Sequence, residues 1–439
     1  MKRFLIPILL LIILGVVVWL NKPKIAPYYQ QLTQDRVGLA KDLQPLAQKE
    51  AHFVGSKECQ KCHEDQHHDW KNSMHSKMIQ DIKSDSSVVV ADFTRLPKDA
   101  DFTLKESIYT IGGKFKQRYM IPATINGKED FRLGNYQWNV ETQKWQKFKP
   151  YKYWYKDSYP HDNREFPTSN TCDGCHFTGY MSTEKRVERA ISCESCHGAG
   201  SRHSEDPDSP IYRASLSDPI RTNEVCLQCH MRNRDKRLDL NKTAKDLWML
   251  AKDYPSGYEA GKPLIEYKKV APFILGTETK EFWANGTAKK NRTQGNEYVH
   301  DTMYKHGITC INCHNPHKLT NTADKPQGND ACIKCHSFGS IVGPHQSSLE
   351  AHTHHKADSK GSLCIECHMP KTAKHTGKSP LTVRSHKFSF TSPLETKHYK
   401  MPPKTNACFA CHKDKSLDTL QQNLKDWGMI EWGSEEIHP

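Results

Sequence analysis

The sequence predicts a mainly α chain with much irregular structure, little side-chain core of its own, and a small β-rich insert at about 100–150. Three observations predict this class. The apolar share is low for the length, the cysteines all sit in one repeated pentad, and one pentad-free stretch alternates like strands. The 439 residues have room for two or three domains at roughly 150 residues each. Only 36% of them are hydrophobic, against ~45–50% in an ordinary soluble domain. The 24 glycines, 24 prolines, 9 tryptophans and 16 cysteines are not the composition of a disordered tail. A multispanning membrane protein, a collagen-like chain and an ordinary cytosolic enzyme are excluded.

Every one of the 16 cysteines lies in a Cys-x-x-Cys-His pentad. The first four are Cys59-Gln-Lys-Cys62-His63, Cys172-Asp-Gly-Cys175-His176, Cys193-Glu-Ser-Cys196-His197 and Cys226-Leu-Gln-Cys229-His230. The second four are Cys310-Ile-Asn-Cys313-His314, Cys332-Ile-Lys-Cys335-His336, Cys364-Ile-Glu-Cys367-His368 and Cys408-Phe-Ala-Cys411-His412. This is the attachment signature of c-type haem. Two thiols one helical turn apart reach the two vinyl groups of a porphyrin, and the following imidazole is the proximal iron ligand. Zinc knuckles or a disulfide framework would need no His after every second Cys. Eight such coincidences by chance have a probability on the order of 10^-10 at this histidine content. The expectation is eight covalently attached haems c, whose flat apolar bodies supply the missing core.

The haems also correct the charge. The side chains sum to +13, but haem propionates and irons bring the oxidised protein to about +5 and the reduced one to about −3. Nucleic-acid binding is therefore not expected.

Taken in chain order, Met1-Lys2-Arg3 followed by the apolar run Phe4–Leu20 reads as an export signal or membrane anchor. No small-x-small cleavage site follows, so an uncleaved anchor over 1–20 is expected, with a cleaved signal as the alternative. Residues 21–50 form a polar stalk, and 51–430 the haem domain. Within that domain the first haem is at 59–63 and a β-rich insert spans 86–165. There, Tyr136, Trp138 and Val140 alternate and Asn126-Gly127 signals a hairpin turn. A trihaem unit at 172–230 recurs at 310–368, with pentad intervals of 21 and 33 residues in one and 22 and 32 in the other. The insert 231–305 between them carries a predicted helix at Thr243–Ala251. The last haem sits at 408–412, and Leu417, Leu420, Leu424 and Trp427 share one helical face. Residues 431–439 are a tail.

Sixth ligands decide the function. Bis-histidine iron is saturated and suits electron transfer, whereas an open position binds a small molecule. Of the 25 histidines, eight are proximal. The distal candidates nearest the motifs are His75, His203 and His317. His300, His306, the cluster His352/His354/His355 and His386 come next, with His354 and His355 taken as the ligands from the cluster.

The same residues carry a resemblance. The order CxxCH, Trp70-x-x-Ser73-x-His75, CxxCHGAGSRH ending at His203, CHNPH ending at His317, CxxCHMP ending at Pro370, His386-Lys387-Phe388 and Asn406-Ala407-Cys408 resembles octahaem c-type cytochromes with doubled CXXCH motifs. Those are distantly similar to the superfamily of cytochrome c nitrite reductase, hydroxylamine oxidoreductase and octahaem tetrathionate reductase. The resemblance spans about 52–427. It implies a helical, haem-packed fold and extracytoplasmic electron transfer in a respiratory chain, with a membrane donor, an extracytoplasmic acceptor and oligomers possible. In the similar nitrite reductases the catalytic haem sits on CxxCK. All eight motifs here end in His, so that activity is not implied. The alternative is a multihaem oxidoreductase acting on a small nitrogen or sulfur compound at one haem with an open or Lys-ligated position. Whether the chain is an enzyme is left open at this point.

Overall fold

The computed structural model describes residues 50–149, 163–235, 252–270, 274–318, 328–339, 346–375 and 380–428. The expected anchor, most of the stalk, the Thr243–Ala251 helix and the tail lie outside them. Among the described residues no helix is long and apolar enough to cross a membrane.

Helices are short and numerous. The first two are α1 (Ser56–Gln60) and α2 (Glu64–Lys71). The longest is α3 (Pro219–His230), and α4 spans Leu417–Asp426. Helix α3 has a locally encoded start. Pro219 occupies the first turn, and the Asp218 carboxylate accepts from the Ile220 and Arg221 amides at 2.9 and 3.1 Å. It ends in the fourth pentad. In α4, Ser416 caps the first turn, and Leu420 and Leu424 are buried on the face expected from their spacing.

The expected mainly helical character is too strong: the described residues mix helix and strand. Strands β1 (Ile79–Asp81), β2 (Tyr109–Ile111), β3 (Lys116–Ile125), β4 (Lys128–Leu133), β5 (Tyr136–Asn139) and β6 (Lys144–Lys147) form one sheet. The order is β1-β2-β3-β5-β6, with β4 paired to β3, and all neighbours are antiparallel. The Asn126-Gly127 turn joins β3 to β4 with φ of 52° and 73°, the left-handed pair such a tight turn requires. The sheet begins earlier than the predicted insert because three-residue β1 is held by its partner Tyr109–Ile111, not by its own pattern. All four residues of β5 are buried, so Tyr136 and Trp138 do not separate an inner from an outer face.

One face of the sheet packs an aromatic cluster. Phe93 and Phe102 flank the Tyr119 ring at 4.8 and 5.7 Å, and Trp145 closes on Phe93 at 5.2 Å. Gly134 lets Phe102 lie against the backbone; a Cβ there would meet the ring at 2.3 Å. Each such buried aromatic contributes roughly 1.5–3 kcal/mol.

The described chain divides into two compact units, residues 50–52 with 201–210 and all the rest. In the small unit His52 and Ser201 exchange hydrogen bonds at 2.9 and 3.2 Å.

Candidate functional site: the pentads and their facing histidines

The pentads fall on helical turns, as their chemistry requires. Helical segments cover Asp173–His176, Cys193–His197, Cys310–Cys313 and Cys364–His368, and the fourth pentad closes α3. One turn separates the two thiols and carries the histidine to the same side. None of the 16 cysteines is disulfide-bonded.

Five pentad histidines face a second imidazole brought in from elsewhere in the chain. The pairs are His230 with His75 at 6.2 Å between ring centres, His197 with His317 at 6.3 Å and His314 with His386 at 6.3 Å. His368 faces His352 at 6.2 Å and His412 faces His355 at 6.1 Å. An iron about 2 Å from each ring nitrogen, with each ring centre roughly 1 Å further out, gives about 6 Å. The pairs therefore fit one metal atom each.

The outer nitrogens agree. His197 Nδ1 donates to the Tyr212 carbonyl at 2.9 Å, His355 Nδ1 to Thr353 O at 2.5 Å and His386 Nδ1 to Arg384 O at 3.2 Å. His75 Nδ1 points to Pro316 O at 3.4 Å, and His352 Nδ1 to Gln346 Oε1 at 3.1 Å. A carbonyl oxygen only accepts, so Nδ1 carries the proton and the Nε2 lone pair is left bare for a metal. Burial holds His230 and His386 at about 4, so both are neutral at ordinary pH, the ligating form.

The Cys313-His314-Asn315-Pro316-His317 run serves three pairs at once. His314 faces His386, His317 faces His197, and the Pro316 carbonyl steadies His75.

The thiols are also neighbours. Cys59 lies against Cys193, Cys175 against Cys229, Cys226 against Cys310, and Cys332 against Cys364. Cys196 lies beside Cys226, Cys313 beside Cys332 and Cys335, and Cys367 beside Cys408 and Cys411. In spatial order the pentads run first, third, fourth, fifth, sixth, seventh, eighth, with the second branching from the fourth.

That second pentad differs. His176 lies deep in the protein, its Nδ1 has no hydrogen-bond partner, and among the described residues no imidazole faces it. Burial, then Arg118, Arg292 and Lys116, push it down to about 3. Its helical turn is tightly seated: the Tyr254 ring lies where a Gly174 Cβ would be, at 2.3 Å.

The other candidates are placed as follows. His203, in the small unit, donates Nδ1 to Ser209 O at 3.0 Å. His300 is exposed, and His306, also exposed, closes the turn Thr302–Lys305. Within the 352–355 cluster, His355 faces the pentad histidine His412. His354 stacks on Trp427 at 4.4 Å, and His352 takes the facing role at His368. Sequence reasoning passed over Arg118, Arg292 and Lys116 near His176, because a few cations among 63 Lys and Arg carry no signal of their own.

Comparison with known proteins places this geometry. The family model described as cytochrome c554 and c-prime matches residues 58–108 and 132–198. Together with the pentads, this defines the chain as a multihaem c-type cytochrome. It is 26% identical over 164 residues to the multiheme cytochrome MtrA of Shewanella baltica (strain OS185), 36% of this chain and 46% of that protein. The chain thus matches under half the length of that relative. The structure of the outer cell wall cytochrome OcwA superposes with a TM-score of 0.62 at 24% identity, covering 85% of this chain and 86% of that one. That likeness is one of fold.

Proposed function

We propose that this chain is an extracytoplasmic octahaem c-type cytochrome that carries electrons between a membrane donor and an outside acceptor in a respiratory chain. The observation that carries the reading is the unbroken run of neighbouring thiols linking all eight pentads. Bound haem supplies an iron that gains and loses one electron. The chain's residues do the rest. The 16 cysteines fix eight sites in mutual proximity, and the pentad histidines 63, 176, 197, 230, 314, 336, 368 and 412 each offer a proximal ligand. The facing histidines 75, 317, 352, 355 and 386 close five sites to outside ligands. The name of the structural relative, an outer cell wall cytochrome, supports the location. Residues 4–20 are the anchor in this reading, and donor and acceptor are redox proteins.

A second reading is favoured by His176 alone. No imidazole among the described residues faces it, and a haem held there with an open sixth position would take a small molecule and draw electrons from the other seven sites. Low-temperature electron paramagnetic resonance of the air-oxidised holoprotein tests both. The relay reading predicts low-spin signals for the paired sites, unchanged by nitrite or hydroxylamine. A stoichiometric high-spin signal that shifts with ligand establishes the open site. Its absence removes the second reading and leaves the first.

A further inference from the structure

The run of neighbouring sites has two ends, the first pentad and the eighth. Their surroundings carry different charge. Residues 57–71 around the first hold three lysines against four acids, Glu58, Glu64, Asp65 and Asp69. Residues 396–415 around the eighth hold five lysines, with Asp414 as the one acid. Lys397 pairs with Asp418. Lys400, Lys404 and Lys413 are exposed, and they make no ion pair among the described residues. On the other side of the eighth site, the facing His355 is followed by exposed Lys356. An exposed lysine thus comes directly after each of the two imidazoles, His412 and His355.

The fold gives this end firm support. The turns Pro393–His398, Pro403–Thr405 and Cys408–Ala410 pack in succession. Asn406 Oδ1 accepts from the Cys408 and Phe409 amides at 2.9 and 3.1 Å, while its Nδ2 donates to Thr391 O at 3.1 Å. Helix α4 closes the group, with Gln421 Oε1 accepting from the Leu394 amide at 3.0 Å. The pentad itself supplies an apolar centre. Phe409 is the only aromatic residue between the two cysteines of any of the eight pentads. It is half-buried, with Ala410 exposed beside it. A partly exposed aromatic inside a charged rim is the anatomy of a protein-docking surface, where the aromatic anchors and the rim charges steer the encounter.

We propose that the face around the eighth pentad, with Phe409 at its centre and Lys356, Lys400, Lys404 and Lys413 at its rim, docks an acidic redox protein that takes electrons from this site. The inference rests on the relay reading above and names the partner of its last site. One electron leaves the bound haem, whose iron goes from ferrous to ferric, and reduces the partner's own centre by that one electron. A protein fits this face better than an anionic lipid surface. Asp358 and Asp414 are exposed among the lysines; a uniform negative plane repels them, whereas the mixed charges of a protein use them to fix register.

The test is binding of oxidised plastocyanin, an acidic blue-copper protein, to the immobilised oxidised holoprotein by surface plasmon resonance. No electron passes between two oxidised proteins, so the readout is affinity alone. The double variant Lys404→Glu/Lys413→Glu is expected to weaken binding about tenfold or more at low salt. Lys57→Glu/Lys71→Glu, an equal change of net charge at the first pentad, is expected to leave it unchanged. Phe409→Ala is expected to weaken it while keeping the salt dependence. Equal losses in the two lysine pairs overturn the proposal, since net charge alone then explains binding. No loss in either overturns it too, and means that haem propionates already neutralise the rim. Binding to phosphatidylglycerol vesicles in place of plastocyanin assigns the face to lipid and overturns it as well. A reduced wild type that binds plastocyanin through Lys404 and Lys413 yet is not oxidised by it leaves the docking face standing and overturns the relay reading instead.

Discussion

The residue scale separates what covalent chemistry writes into sequence from what folding brings together. The attachment cysteines and proximal histidines were legible because one porphyrin dictates their spacing within five residues. Facing histidines were not, because each reaches its partner through tertiary structure. His317 shows why. It lies three residues after His314, yet it faces His197, since a chain that short cannot fold back over its own motif. The 352–355 cluster shows the same limit: nothing in its sequence says that His354 stacks on Trp427 while its neighbours turn toward His368 and His412. His352→Ala and His355→Ala are each expected to convert one low-spin haem to high spin by electron paramagnetic resonance, and His354→Ala none.

A second residue-scale prediction concerns Asp173. It is fully buried beside Arg186, which also bonds Asp130. Burial raises its carboxyl to about 6, only partly offset by Arg186. The folded state then binds more protons than the unfolded chain between about pH 4 and 6. Its contribution is full below about pH 4 and falls as pH rises through 6, by on the order of 1–3 kcal/mol. Denaturant unfolding across that range should show this slope, and Asp173→Asn should flatten it.

At the scale of elements, local signals succeeded where local physics decides. The hairpin turn at Asn126-Gly127 and the buried stripe of α4 were readable, because turn geometry and helical periodicity act over a few residues. Strand β1 and the burial of β5 on both faces were not, because partners elsewhere define them. The two triplets of pentads are similarly spaced, yet neighbouring thiols join the first and third pentads in one and the second and third in the other. Spacing alone does not set packing. Gly127→Val should cost about 1–2 kcal/mol in thermal or denaturant unfolding, since a β-branched residue resists positive φ.

For the whole molecule, composition was the most informative signal. A chain with so few apolar residues needed another source of core, and the pentads named it. The spatial order of the sites had to come from the fold, since it departs from sequence order at the second pentad. That branch gives the set of sites two parts, a through-route of seven neighbouring sites and one side branch at His176. The account stands on eight sites in one connected set. An anaerobic reductive titration of the oxidised holoprotein, followed by haem absorbance, tests this most directly. The prediction is eight electrons taken up per chain with no oxidised haem remaining. An end point below eight, or haem that stays oxidised while donor remains in excess, would contradict it.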